Sequence, residues 1–138
     1  MVTTKPCGGW RVCGDYRRLN AMTSDDTYPV RQLTDFTAKS IFSKIDLLKG
    51  YHQIPVADGD VPKTAVITPF RLYIFPRTPF GLKNVGQDFQ RLMDEILGDI
   101  PRVFVYFDDI LVVSENLQQH LKDLDIVFKT LNANGMVV

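Results

Sequence analysis

Cysteine is scarce in this sequence of 138 residues, which contains only Cys7 and Cys13. Five residues separate the two and no second pair follows, so the spacing does not support a zinc site. The count allows a disulfide between them, but no signal-peptide pattern points to an oxidising compartment. We therefore interpret both thiols as small hydrophobic groups in a reduced, intracellular chain.

Long apolar runs and an excess of charge are also missing. No apolar stretch approaches the ~18 residues that a membrane span needs, so we expect no membrane partner. Sixteen basic and sixteen acidic side chains give a formal net charge of zero. Domains that bind nucleic acid tightly by themselves are usually basic, so this balance argues mildly against autonomous tight binding. The length is sufficient for one domain with its own core.

The most informative stretch is residues 103–114, VFVYFDDILVVS, in which apolar and β-branched residues flank one pair of acids. Two short strand-like runs around two turn-compatible residues predict a β-hairpin with Asp108 and Asp109 at its tip. Ordinary turn chemistry explains such a pair, because Asp hydrogen-bonds its own backbone. A metal site also explains it, because a divalent cation relieves the repulsion between adjacent carboxylates.

A third carboxylate, Asp46, favours the metal site. Residues 41–47 have the composition of a strand, which Gly50 ends. Alternation along that strand places Asp46 on a face with Phe42 and Lys44, and places Ile41, Ile45 and Leu47 on the other face. If this strand pairs with the hairpin, Asp46 and Asp108 face each other, an arrangement suited to two metal ions in a phosphoryl displacement.

The remaining segments give a mixture of strands and helices. We predict a strand at 10–13, a turn into irregular chain at 15–20, and a hairpin at 63–75 with its turn at 69–71. A short helix should begin at Pro29, and a longer one should bury an apolar stripe between Phe89 and Leu97 before ending at Gly98. A last helix, capped by Ser114 and ended by Asn134 and Gly135, should bury Leu117, Leu121, Leu124, Phe128 and Leu131.

Five motifs together resemble the reverse transcriptases of gypsy-type LTR retrotransposon Pol polyproteins. They are WRVCGDYRRLN (10–20), FSKIDL (42–47), GYHQI (50–54), PFGLKN (79–84) and YFDD (106–109). They follow the family order and cover the chain from about residue 5 to residue 138. The resemblance implies an α+β right-hand polymerase palm with a partial, β-rich fingers region, in which helices back an antiparallel sheet. It implies fingers-like ranges of about 1–40 and 56–80, and palm ranges of about 41–55 and 81–138.

The resemblance also implies roles for individual residues in RNA-directed DNA synthesis. The catalytic carboxylates are Asp46, Asp108 and Asp109, and Mg²⁺, with Mn²⁺ as a substitute, would be held by Asp46, Asp108 and the carbonyl of Leu47. Binding of the deoxynucleoside triphosphate is implied for Lys5, Arg11, Tyr51, Phe80 and Gly81. Contact with the RNA template or DNA primer is implied for Arg17, Lys83, Asn84 and Tyr106.

Two of these assignments have a physical basis of their own. An Arg side chain such as that of Arg11 offers a planar fork to phosphate oxygens. A rigid ring such as that of Tyr51 would leave no room for a ribose 2′-hydroxyl. The competing interpretations are a solvated surface charge for Arg11 and a core aromatic for Tyr51.

The sequence departs from the family pattern at Arg71, where the family usually has Gly, at Pro76, and at Val85, Gly86 and Asp88. The thumb, connection and ribonuclease H regions of the resembled polyproteins are expected to be missing, so a truncated, non-catalytic remnant is the alternative to a polymerase core. A two-metal nuclease is a third interpretation, which leaves Arg11 and Tyr51 without a role. The resemblance further implies a cytoplasmic location in a virus-like particle, with the nucleus as an alternative.

Overall fold

The chain forms two compact units, which together give an α+β fold. The computed structural model describes residues 2–4, 8, 10–12, 14–29, 40–107 and 109–138. One unit comprises Met1–Asp26 and Tyr51–Val85, and the other comprises Thr27–Gly50 and Gly86–Val138. Lys5, Asp108 and most of the helix predicted from Pro29 lie outside the described residues. Among the helices that are described, none is long and apolar enough to cross a membrane.

The first unit is built from short elements. Strand β1 (Val2–Thr4) pairs antiparallel with β2 (Trp10–Val12), and α1 (Arg17–Met22) follows. Two 3₁₀ helices, Gly50–Gln53 and Val61–Thr64, precede a hairpin of β4 (Val66–Ile67) and β5 (Leu72–Tyr73). The predicted strand at 10–13 is therefore confirmed.

Two predictions for the first unit are wrong in detail. Residues 17–22 form a helix, where we predicted irregular chain, and the Asp15 carboxylate accepts a hydrogen bond from the Arg17 backbone N–H at its start. The hairpin begins later than predicted because residues 61–64 form a 3₁₀ helix, whose first turn contains Pro62. Arg71 does not adopt a left-handed φ, and the Thr68 hydroxyl accepts from its backbone N–H, so no glycine is needed in this turn.

The second unit is a three-stranded antiparallel sheet with two helices. The sheet order is β3 (Ile41–Asp46), β7 (Asp109–Ser114) and β6 (Val103–Tyr106), with β7 in the centre. The helices are α2 (Val85–Leu97) and α3 (Leu117–Ala133), and α3 packs against β7. The core contains β-branched and large apolar side chains, as the strand and helix patterns predict: Ile45, Phe89, Met93, Leu97, Val105, Ile110, Val112, Val113, Val127 and Leu131.

The buried face of α3 differs from the predicted one. Leu131 is buried as expected, but Leu117, Leu121 and Phe128 are exposed. The buried positions are instead His120, Asp123, Val127 and Leu131. The helix is capped by the Asn116 side chain, which accepts from the Gln119 backbone N–H, and not by Ser114. A pattern that counts only apolar residues could not find a face with two polar members.

Those two polar residues are paired within a network that joins α3 to the sheet. The Asp123 carboxylate accepts two hydrogen bonds from the Arg102 guanidinium, at 2.7 and 2.9 Å, and one from the Ser114 hydroxyl at 2.7 Å. Ser114 thereby uses its only proton, so the His120 Nδ1–H donates to Ser114 Oγ at 3.0 Å. The His120 Nε2 lies 2.8 Å from the Ser43 hydroxyl on β3.

Candidate active site

The end of β3 brings two of the three predicted carboxylates together. Asp46 lies directly opposite Asp109 in the antiparallel pairing of β3 with β7. Side chains of directly opposed residues share one face of a sheet and lie close together, so two like charges there repel. Lys44 lies two residues before Asp46 and shares its face, and its Nζ is 2.9 Å from Asp109 Oδ2. The alternation predicted for this strand is confirmed, because Ile45 and Leu47 are buried while Phe42, Lys44 and Asp46 are exposed.

Asp109 lies in the hairpin of β6 and β7. Tyr106 of β6 pairs with Asp109 of β7, and Phe107 lies in the turn between these strands. The sequence predicted Asp108 and Asp109 at the tip, but Asp109 belongs to strand β7, and Asp108 lies outside the described residues. Phe107 has a left-handed φ of 50°, which is uncommon for a bulky residue.

The two opposed carboxylates of Asp46 and Asp109 attract a cation. The hydrogen bond to the Asp109 carboxylate raises the pKa of Lys44, so an ammonium group already neutralises one of the paired acids. Exposed carboxylate oxygens are the donors that hard divalent cations prefer, so the residues present fit such a metal. Within the described residues no group of three metal-ligating side chains occurs, and Asp108 lies outside them.

Three predicted nucleotide-binding residues lie together in the first unit. The rings of Tyr51 and Phe80 meet edge to face, with their centroids 5.9 Å apart. His52, to which sequence analysis gave no role, also contacts Phe80 at 4.7 Å and directs Nδ1 to the Thr78 carbonyl at 2.9 Å. Gly81 has a φ of 101°, a backbone conformation that residues other than glycine rarely adopt. Two neighbouring rings, those of Tyr51 and His52, thus pack on Phe80.

The predicted template and primer residues mostly hold the first unit together. Lys83 pairs with Asp25 at 2.8 Å, and Asn84 donates to the Ser24 carbonyl at 2.8 Å. These contacts tie the loop after Gly81 to the segment after α1. Arg17 is exposed and is paired with Asp15 at the start of α1.

Three predicted contact residues remain, namely Tyr106, Arg11 and Lys5. Tyr106 is about half exposed at the end of β6, and its ring packs edge to face on Phe107. Arg11 occupies the central position of β2, opposite Thr3 of β1. Lys5 lies outside the described residues.

Two residues that contact Asp109 or the hairpin before it were not predicted from the sequence. Lys44 is close to Asp109 because of the strand register, which the sequence does not state. Gln90 of α2 is fully buried and accepts a hydrogen bond from the Phe107 backbone N–H at 3.1 Å. Its signal was available, because an amide inside the apolar stripe between Phe89 and Met93 is a local conflict typical of functional sites.

Comparison with known proteins identifies the family. The sequence model described as "Reverse transcriptase (RNA-dependent DNA polymerase)" matches residues 3–138. The Pol polyprotein of transposon opus from Drosophila melanogaster is 41% identical over 135 residues, which are 94% of this chain and 14% of that protein. An RNA-directed DNA polymerase homolog from Oenothera berteroana is 36% identical, over 85% of this chain and 89% of that protein. The chain belongs to the reverse transcriptase family.

Solved structures agree with this assignment. A foamy viral protease–reverse transcriptase in complex with double-stranded DNA superposes with a TM-score of 0.91 and 30% identity, covering 99% of this chain and 25% of that one. The same viral enzyme in complex with an RNA/DNA hybrid gives a TM-score of 0.83 and 30% identity, covering 94% and 18%. The chain spans about one seventh of the opus polyprotein.

Proposed function

We propose that this chain is the catalytic palm and part of the fingers of an RNA-directed DNA polymerase that works by two-metal nucleotidyl transfer. The observation that carries the proposal is the strand register, which sets Asp46 opposite Asp109, the residue that follows Asp108 in the chain. In the reaction, the primer 3′-oxygen forms a bond to the α-phosphorus of a deoxynucleoside triphosphate. The bond from that phosphorus to the bridging oxygen breaks, pyrophosphate leaves, and the hydroxyl proton passes to solvent.

The carboxylates have distinct tasks in this proposal. Asp46 and Asp108, with the carbonyl of Leu47, would hold Mg²⁺ or Mn²⁺. The bound ion would supply positive charge that lowers the pKa of the primer hydroxyl. Asp109 is the structural carboxylate, because Lys44 already neutralises it.

Most of the proposed nucleotide and nucleic-acid contacts come from the first unit, and Tyr106 comes from the second. Lys5 and Arg11 bind the triphosphate, Phe80 and Gly81 pack against the nucleotide, and Tyr51 excludes a 2′-hydroxyl. The edge-to-face contact with Phe80 supports that role, because it limits the positions open to the Tyr51 ring. RNA template and DNA primer contacts are proposed for Arg17, Lys83, Asn84 and Tyr106, and the fingers and palm ranges are those predicted from the sequence. We propose a cytoplasmic location in a virus-like particle.

The test is primer extension on an RNA template with Mg²⁺. We expect little product from the 138-residue chain alone, because phosphoryl transfer is sensitive to misplacement of about 1 Å and a separate thumb holds the primer. The same chain fused to the thumb region of a related polyprotein should extend the primer. Asp108→Asn should abolish that extension, whereas Asp58→Asn, which changes an exposed acid in the turn at 58–60, should not.

Other outcomes would contradict the proposal. Extension that persists in Asp108→Asn would exclude this carboxylate from catalysis. A fusion that binds an RNA/DNA hybrid but extends nothing would favour the non-catalytic remnant. The accommodated turn at Arg71 weighs against that alternative, since this departure from the family pattern introduces no left-handed residue.

A further inference from the structure

The side chain of Gln90 spans the strand and the turn that lead into the catalytic carboxylates. Gln90 lies on α2 and is fully buried. Its Nε2 donates to the Val105 carbonyl of β6 at 3.2 Å and to Asp94 Oδ1 at 3.2 Å. Its Oε1 accepts from the Phe107 backbone N–H at 3.1 Å. The partners fix the orientation of the amide, because a carbonyl only accepts and a backbone N–H only donates.

The turn that this amide holds is strained. Phe107 adopts a φ of 50°, which is uncommon for a bulky residue and persists only where surrounding structure imposes it. Packing contributes from the other side, where a Cβ at Gly86 would lie 2.9 Å from Phe107 Cε1. The absence of a side chain at position 86 thus leaves room for the ring. Helix α2 therefore contacts Phe107 twice: Gln90 accepts a hydrogen bond from its backbone N–H, and its ring lies close to Gly86.

We propose that Gln90 is a positioning residue, which orders the hairpin turn so that the carboxylates after Phe107 are presented to the metal. Two points separate it from a residue that only fills the core. Two of its three hydrogen bonds go to the backbone of the hairpin, and Asp108 and Asp109 follow Phe107 directly in the chain. The role rests on the proposed function, since it assumes that those carboxylates bind a divalent cation.

The test combines hydrogen exchange and Mn²⁺ binding on the 138-residue chain. Gln90→Met keeps the volume of the side chain and removes its hydrogen bonds. The matched control is Gln87→Met, which makes the same change on the same helix at a partly exposed position. In Gln90→Met the Phe107 amide should exchange about ten times faster, as expected for one lost hydrogen bond. Mn²⁺ affinity should fall about tenfold, as for other groups that orient metal ligands.

Each result has a defined meaning. Faster Phe107 exchange with weaker Mn²⁺ binding in Gln90→Met, and neither change in Gln87→Met, would support the role. Unchanged exchange, or faster exchange with unchanged Mn²⁺ affinity, would overturn it. Wild-type protein that binds no Mn²⁺ would contradict the proposed function itself. If Gln90→Met does not fold, the wild type still decides, because a Phe107 amide that exchanges as fast as an unstructured one would exclude the hydrogen bond.

Discussion

At the scale of single residues, Asp123 is a buried charge that joins α3 to the rest of the second unit. It is 1% exposed and accepts hydrogen bonds from Arg102, Ser114 and Gln119. The Arg102 guanidinium, helped by Ser114 and Gln119, holds the pKa of Asp123 well below its usual range, although burial acts in the opposite direction. A buried charge with such partners leaves them unsatisfied when it is removed.

We therefore expect Asp123→Asn to lower the free energy of unfolding by about 3 kcal/mol, because one partner of a buried pair is lost. The control is Asp125→Asn, two residues away, which removes an exposed pair with Lys129 and should change it by about 0.5 kcal/mol or less. Urea denaturation at pH 7 measures both values. Equal effects of the two substitutions would mean that the network does not stabilise the unit.

The same pair predicts a pH dependence. The pKa of Asp123 is lower in the folded chain than its unfolded value of about 4, so its stabilisation is present above that pH and is lost as the pH falls. The difference in unfolding free energy between wild type and Asp123→Asn should therefore shrink as the pH falls from 7 into the acid range. A difference that stays constant would contradict the assigned cause.

Tyr51 gives a residue-scale test of the proposed nucleotide site. If its ring excludes a 2′-hydroxyl, Tyr51→Ala in a primer-extending fusion should admit ribonucleotides, and the ratio of deoxynucleotide to ribonucleotide incorporation should fall by more than about tenfold. Tyr73→Ala, in the exposed strand β5, is the control and should leave the ratio unchanged. An unchanged ratio in Tyr51→Ala would assign the ring to packing alone.

At the scale of secondary-structure elements, α3 shows where prediction from the sequence stops. Helix α2 was predicted well because Phe89, Met93 and Leu97 are apolar and fully buried. Helix α3 was predicted in extent, including its end at Asn134 and Gly135, but its face was wrong. The reason is physical. The buried His120 and Asp123 are hydrogen-bonded to Ser43, Ser114 and Arg102, and a sequence pattern does not show these hydrogen bonds.

Two leucines of α3 test the corrected face. Leu131 is 1% exposed and Leu121 is 59% exposed, although the apolar pattern predicted burial for both. Leu131→Ala should lower the unfolding free energy by about 3 kcal/mol, because it leaves a cavity. Leu121→Ala should lower it by less than about 1 kcal/mol. Thermal or urea denaturation of the two variants decides, and a larger loss for Leu121→Ala would restore the predicted stripe.

The hairpin of β6 and β7 is an intermediate case. The pattern of residues 103–114 predicted both strands, and the resemblance to reverse transcriptases gave the correct family. The predicted tip was wrong for Asp109, which belongs to β7, because Asp-Asp is favourable turn chemistry and nothing in the sequence shows that Phe107 is held in a left-handed conformation. The pairing of Lys44 with Asp109 depends on strand register and could not be predicted either.

At the scale of the whole molecule, the chain has the family's core but no net charge. Sixteen acids balance sixteen bases, so long-range attraction to a phosphate backbone should be weak. The described basic residues Arg17, Lys83 and Arg102 are paired with acids inside their own units. These features agree with the expectation from the sequence that the chain does not bind nucleic acid tightly by itself.

The central claim is the proposal that the end of β3 and the hairpin of β6 and β7 form one divalent-cation site. Titration of the 138-residue chain with Mn²⁺, followed by paramagnetic broadening of its amide signals, tests it most directly. Signals around Asp46 and Asp109 should broaden first in the wild type, and Asp46→Asn should weaken that broadening while Asp58→Asn leaves it intact. Broadening centred elsewhere, or unaffected by Asp46→Asn, would contradict the claim.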